Sequence, residues 1–195
     1  MAGKTLCDFA AIDAANTCGE SMAGIASEIC IAFKSDLKDG ARPAFKESDA
    51  EGLDMSAFAE IEETPGFKFA EGKCFYKWVI DSDSGQVTAT SIAQQKGFNT
   101  QLVFKITEMT PNISALFRVL NNRKDAFIAI PDGKSRYKMI YHPDRNIKID
   151  AGGISYDSGT TPDSDSGTTV TVSCPCPAPV LYYSGEVSTT PAGGG

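Results

Sequence analysis

The sequence predicts a mainly β fold, with two packed β-sheets arranged as a sandwich or barrel and one short α-helix beside them. Several short segments alternate polar and apolar residues with a period of two, which is the pattern of half-buried strands. The 195 residues include 18 glycines and 10 prolines, a composition that favours short strands separated by turns. The best helical pattern in the chain covers only about two turns. These observations favour a β-rich fold over a helical bundle.

The length allows one large domain or two small ones, and it is sufficient to bury a hydrophobic core. We expect an N-terminal arm over residues 1–27, a single β domain over residues 28–187 and a flexible tail over residues 188–195. Within the domain, residues 35–73 form a long, charged and irregular loop. Such a loop is uncommon in a compact domain unless it has a function or is disordered.

The strands are predicted from alternation and from β-forming residues. A polar turn at Ser82–Gly85 separates the second strand from the third, and Pro131, His142 and Pro143 mark later turns. In chain order the first seven predicted strands cover residues 28–34, 74–81, 86–93, 100–108, 125–130, 137–141 and 146–149.

The helix is predicted between the fourth and fifth strands. Thr110 can cap it, and Pro111 suits its first position. Its apolar residues recur at i, i+3, i+4 and i+7 and form one stripe that can lie on a sheet. The residues of this stripe are Ile113, Leu116, Phe117 and Leu120, and Asn121-Asn122 ends the helix.

The end of the domain reads as turn, strand, proline break and strand. Residues 168–173 alternate threonine and serine with threonine and valine, and residues 180–183 begin a second strand that stops at Ser184. Pro175, Pro177 and Pro179 are expected to interrupt the sheet between them. The DSDSG segments at residues 81–85 and 163–167 lack the ligands that a calcium loop needs at its later positions, so hairpin turns explain them better.

Charge and composition exclude several functions. The net charge of -7 and pI of about 4.7 argue against binding to nucleic acid phosphates, which requires clustered Lys and Arg. No apolar run reaches the length of a membrane span, and Asp8 and Asp13 make the N-terminus a poor signal peptide. We therefore expect a product that stays in the cytoplasm in which it is made.

No residue pattern predicts an enzyme, a cofactor or a metal site. His142 is the single histidine and lacks a nucleophile motif, so a structural or surface role is expected. The six cysteines are expected to be buried reduced thiols, with a metal or disulfide role as the alternative. Gly152-Gly153 is interpreted as a bulge or turn. The acidic residues between Glu47 and Glu63 are interpreted as a solvated face rather than a cation site.

The order of these elements resembles tail tube (major tail) proteins of long-tailed bacteriophages. The resemblance rests on an arm, a first strand, a long loop and a single helix, followed by the pattern Gly159, Asp165, Gly167-Thr168, Pro179 and Tyr183. It implies stacked hexameric rings whose sheets join into one channel, with the long loop bridging to the next ring. The loop residues expected at that contact are Pro43, Phe45, Phe58, Pro65 and Phe67.

The same resemblance implies the partners and the location. The chain would assemble with itself and with other tail proteins (tape measure, tail terminator and baseplate), in the host cytoplasm, into the tail tube of a virion. DNA would pass through without specific binding and without a membrane partner. The Pro-Cys-Pro insert at residues 174–177 departs from the family pattern and leaves the register of the last strands open.

A channel for DNA implies a lumen face that is mainly polar and on balance acidic, since a basic lining would bind phosphates. Candidate lumen strands are residues 74–81, 100–108 and 125–130, on which Lys77 and Lys105 would need carboxylate partners. The alternative function is an adhesive or carbohydrate-binding β-sandwich, such as a virion decoration or fibre protein. Its exposed aromatic face would use Phe75, Tyr76, Trp78, Tyr182 and Tyr183.

Overall fold

The computed structural model describes residues 25–46, 55–92, 96–132, 136–149, 151–161 and 166–193. The fold is mainly β, as predicted, and consists of two open antiparallel sheets rather than a closed barrel. The strands are β1 (Glu28–Phe33), β2 (Tyr76–Val79), β3 (Gln86–Ser91), β4 (Phe98–Ile106), β5 (Ala126–Pro131), β6 (Tyr137–Ile140), β7 (Ile154–Asp157), β8 (Gly167–Cys176) and β9 (Leu181–Tyr183). Helix α1 covers Pro111–Asn122, and short 3-10 helices cover Lys34–Asp36, Lys38–Gly40 and Met55–Ala59.

The five-stranded sheet has the order β2-β1-β5-β6-β9, and the four-stranded sheet has the order β3-β4-β8-β7. Buried residues of both sheets belong to one hydrophobic core. The turn at residues 82–85, expected to close a hairpin, instead connects β2 in the first sheet with β3 in the second. That interpretation was wrong because turn residues specify a change of direction, whereas the partner of each strand depends on distant residues.

Both faces of the five-stranded sheet are covered. On one face, the ring of Trp78 meets the ring of Phe117 of α1 edge-on at 5.6 Å. On the other face, the ring of Phe127 stacks on that of Phe67 at 4.8 Å. Residues 126–130 of β5 are all buried as a result, which explains why this segment is apolar at consecutive positions instead of alternating.

Strand β8 continues through Pro175 to Cys176, so the prediction that the prolines interrupt it was wrong at this position. Ser173 exchanges backbone hydrogen bonds with Lys148, on the side of β8 that faces away from β4. Because backbone N–H groups alternate in direction, the nitrogen of Pro175 also points away from β4. The missing N–H therefore costs no bond in the ladder between β4 and β8.

Two further strand predictions need correction. Residues 146–149 form only an isolated bridge between Lys148 and Ser173. The sequence did not predict strand β7, which has only four residues. These residues come shortly after the turn at Gly152, whose φ is +81°. Strands this short owe their formation to the neighbouring strand, here β8, and their own sequence carries little signal.

The ends of the predicted domain lie partly outside the described residues. Of the predicted arm, only residues 25–27 are described. The flexibility of residues 188–195 stays a prediction, but the backbone of residues 188–192 is hydrogen-bonded to Gly72, Lys73 and Phe75. Val187 is partly buried against the core.

Candidate assembly surface

The outer face of the four-stranded sheet is a regular polar surface on the side of the sheet away from the core. Along β4 its residues alternate with core residues, so Leu102 and Phe104 point inward while Gln101, Val103 and Lys105 point outward. We call this surface the outer sheet face; its strand residues are Gln86, Thr88, Thr90, Asn99, Gln101, Val103, Lys105, Ser155, Asp157, Thr169, Thr171, Ser173 and Pro175. Hydroxyl and amide side chains dominate this face.

The outer sheet face is almost uncharged. Lys105 and Asp157 are the charged residues among its strand positions. The surface is thus mainly polar and has no net charge at these positions. The acidic lumen of an assembled ring stays a prediction. Lys105 lies against the backbone at Gly167, where an added Cβ would come within 2.8 Å of the lysine Cε.

The two outer strands of this sheet have unpaired backbone edges among the described residues. In β3, the bond from the N–H of Ile92 to the carbonyl of Gly97 places the even-numbered residues toward β4. The N–H and C=O groups of Val87, Ala89 and Ser91 therefore point outward. In β7, the carbonyl of Gly153 accepts the N–H of Thr171, so the odd-numbered residues direct their backbone groups toward β8. The N–H and C=O groups of Ile154 and Tyr156 therefore point outward.

Both edge strands are also exposed through their side chains. Every residue of β3 except Val87 is exposed, including Ala89 and Ser91, whose side chains point to the inner side of the sheet. On β7, the side chain of Tyr156 is 57% exposed. Exposed strand edges pair readily with other chains.

Of the three candidate lumen strands, only β4 belongs to this surface. Residues 126–130 are buried on both faces and cannot line a channel in this structure, so the prediction for residues 125–130 was wrong. On β2, Lys77 forms an ion pair with Glu28, which raises the pKa of Lys77 mainly through the hydrogen bond between them. This is the carboxylate partner that an exposed lysine on a lumen strand would require.

Helix α1 docks on the core with a narrower stripe than predicted. Thr110 caps the helix by accepting the N–H of Ile113 at 3.3 Å. Phe117 and Leu120 are buried and Ile113 is partly buried, whereas Leu116 is 40% exposed. Together with Val119, Leu116 gives the helix an exposed apolar flank.

The predicted inter-ring residues lie in segments that fold back on their own domain. Phe67 is 8% exposed, and its ring meets those of Phe75, Phe127, Tyr141 and Tyr183 at 4.8–5.9 Å. Pro43 is buried, and its carbonyl accepts the hydroxyl of Tyr141 at 2.9 Å. In this structure neither residue is available for contact with another ring.

The other three residues of that prediction are more accessible. Phe45 is half-buried with its ring edge-on to His142 at 5.4 Å, Phe58 is half-buried, and Pro65 is exposed after a cis peptide bond. Lys46 pairs with Glu60 at 2.6 Å and with Glu63 at 3.1 Å, and these hydrogen bonds raise its pKa. The acidic residues 47, 49, 51 and 54 lie outside the described residues.

His142 has a structural role, as expected. Its Nδ1 accepts the backbone N–H groups of Asp144 and Arg145 at 3.1 and 3.2 Å. Burial lowers the pKa of this imidazole, and the nearby charge of Arg145 adds to the effect. The residue therefore organises the turn after β6.

Four of the cysteines are buried as predicted, namely Cys30, Cys74, Cys174 and Cys176, while Cys7 and Cys18 lie outside the described residues. Burial raises the pKa of the Cys30 thiol. No group of three or more metal-ligating side chains occurs in the described ranges.

The aromatic residues of the alternative function do not form one exposed face. Phe75, Trp78 and Tyr183 are buried, and Tyr182 is half-buried with the guanidinium of Arg136 at 4.4 Å from its ring. Among the five, only Tyr76 is exposed. A carbohydrate platform built from this set is therefore not present in the folded domain.

Comparisons with known proteins identify no relative. No family model, curated protein or solved structure matches the chain. No helix in the described part of the chain is long and apolar enough to cross a membrane.

Proposed function

We propose that this protein is a structural virion subunit that assembles with itself into rings, as tail tube proteins do, and that the outer sheet face lines the resulting channel. The observation that carries the proposal is the combination of a polar, almost uncharged sheet face with two edge strands that have no backbone partner on their outer sides among the described residues. An isolated domain gains nothing from leaving both edges open, whereas closing the sheet across subunits removes both edges.

The strand directions allow this closure. All neighbours in the order β3-β4-β8-β7 are antiparallel, so β3 and β7 run in opposite directions. Copies related by rotation about a ring axis keep the same orientation relative to that axis. The β7 edge of one copy then meets the β3 edge of the next in antiparallel orientation, and the antiparallel pattern continues around the ring.

The chemistry of the outer sheet face suits the passage of DNA. Hydroxyl and amide groups hydrate well and carry no charge that would hold phosphates through counterion release. Lys105 and Asp157 on this face are opposite in sign. In this proposal the neutral channel lining does not bind DNA, and the negative net charge of the whole chain repels nucleic acid from its other surfaces.

The edge of β3 offers a sharp test by substitution. Ala89→Pro removes an N–H that points away from β4 and that the monomer does not use in its ladder. We expect this variant to unfold at the same temperature as wild type but to remain monomeric. Ala89→Val, which keeps the N–H and favours β-structure, is the matched control and should assemble.

Assembly is measured by sedimentation velocity over a range of concentrations and by negative-stain microscopy. Rings or hollow rods in wild type and in Ala89→Val, with monomers in Ala89→Pro, are the expected result. The proposal fails if wild type stays monomeric at every concentration, or if Ala89→Pro still forms rings.

A further inference from the structure

Lys34 is a buried lysine at the end of β1. Its side chain is 2% exposed, although an isolated ammonium group is among the groups most costly to bury. Its backbone N–H is bonded to the carbonyl of Asp125 at 2.9 Å, which fixes the position of the residue at the start of its 3-10 helix. A lysine in this position needs a partner for its amine.

The partners of this amine are neutral. Nζ donates to the backbone carbonyl of Arg145 and to Oδ1 of Asn146, the latter at 3.3 Å. The ring of Tyr141 lies 5.8 Å from Nζ. Among the described residues, no carboxylate oxygen lies within ion-pair distance of it. Burial lowers the pKa of Lys34, so at a given pH a larger fraction of this amine is neutral than of an exposed lysine, and the neutral amine is the nucleophilic form.

We propose that Lys34 and Asn146 form an intramolecular isopeptide bond. The Nζ of the neutral amine attacks Cγ of Asn146, and a new C–N bond forms. The bond between Cγ and Nδ2 breaks as a proton passes from Nζ to Nδ2, and ammonia leaves. The reaction needs no oxidant or cofactor, and because Asn146 is exposed, the ammonia can escape to solvent.

The bond would join the end of β1 to the segment after β6. The two residues are 112 positions apart in the sequence, so the cross-link would close most of the domain into one covalent loop. Such a cross-link restricts the unfolded chain and resists mechanical extension, in the way that a disulfide does. The proposal does not depend on ring assembly, and its test uses the full-length monomer.

The test is the intact mass of the purified full-length protein after incubation at mildly alkaline pH. We expect a mass lower than that of the sequence by one ammonia, together with one proteolytic fragment in which the peptides of Lys34 and Asn146 are linked. Asn146→Ala changes an exposed residue and should show no such loss. Asn146→Asp should lose one water in place of the ammonia.

A second control separates this reaction from the loss of ammonia by which an asparagine cyclises onto its own backbone. Lys34→Met fills the buried site with an apolar chain of similar length and should keep the full mass, whereas backbone cyclisation would persist in it. A wild-type mass equal to that of the sequence, or a loss of ammonia that survives in Lys34→Met, overturns the proposal. The amine would then serve only as a hydrogen-bond donor to residues 145 and 146.

Discussion

Substitution of Phe67 by alanine tests whether the second half of the long loop belongs to the core of its own subunit. The Phe67 ring is stacked on Phe127 and edge-on to Phe75, Tyr141 and Tyr183. Its N–H also donates to the hydroxyl of Tyr183 at 3.3 Å. Removal of the ring would leave a cavity that four rigid aromatic side chains cannot easily close.

The magnitude follows from these contacts. Phe→Ala at a buried site costs about 3–5 kcal/mol, and the rigid aromatic surroundings favour the upper half of that range. We expect a loss of about 4 kcal/mol in the free energy of unfolding. With a denaturant slope of about 2 kcal/mol per molar urea, the midpoint would fall by about 2 M.

The assay is urea unfolding followed by tryptophan fluorescence. Trp78 is the single tryptophan and is buried against α1, so its emission reports the loss of the core. The matched control is Phe58→Ala, since Phe58 lies in the same loop but is only half-buried. This variant should lose clearly less stability than Phe67→Ala.

The result that would refute this reasoning is a Phe67→Ala monomer as stable as wild type. If such a variant also failed to form rings, the original expectation of an inter-ring contact at Phe67 would be restored. A large loss of stability in the monomer places Phe67 in the core, whatever its effect on assembly.

Three other predictions concern local structure. Thr110→Ala should cost about 1 kcal/mol in thermal or urea unfolding because the N–H of Ile113 loses its cap. Thr189→Ala, at an exposed position outside the helix, serves as comparison. Gly167→Ala should lower the free energy of unfolding more than Gly152→Ala. Both glycines have positive φ, but only at Gly167 would an added Cβ lie 2.8 Å from the carbonyl oxygen of Ile106. Equal losses of stability in the two variants would contradict this steric clash. The third prediction concerns His142, whose pKa is lowered in the folded protein, so the unfolded chain binds the proton more readily. The free energy of unfolding should therefore be at its full value above the ordinary histidine pKa of about 6.5 and should fall as the pH drops below it. His142→Asn keeps an acceptor for the turn and should remove this part of the pH dependence; an unchanged dependence would assign it to other groups.

Local sequence determined most of the elements. The alternation in residues 100–108 and 168–173 appears as β4 and β8, and Thr110 and Pro111 mark the start of α1 as predicted. These features depend on neighbouring residues, through side-chain periodicity and the capping of free N–H groups, so they can be recognised in the sequence. The polar character of the outer sheet face follows from the same alternation.

The tertiary structure alone decided how these elements combine. Nothing near Phe67 distinguishes a core residue from a contact residue, and its burial depends on the rings of Phe127 in β5, Tyr183 in β9 and Tyr141, which directly follows β6. Leu116 and Phe117 fit one predicted stripe equally well, but only Phe117 meets Trp78. Pro175 can lie within a strand because its nitrogen, like the N–H of Ser173 that bonds to Lys148, points away from β4. The burial of Lys34 beside Asn146 likewise joins residues far apart in the chain. Such outcomes rest on contacts between distant segments, which local periodicity does not encode.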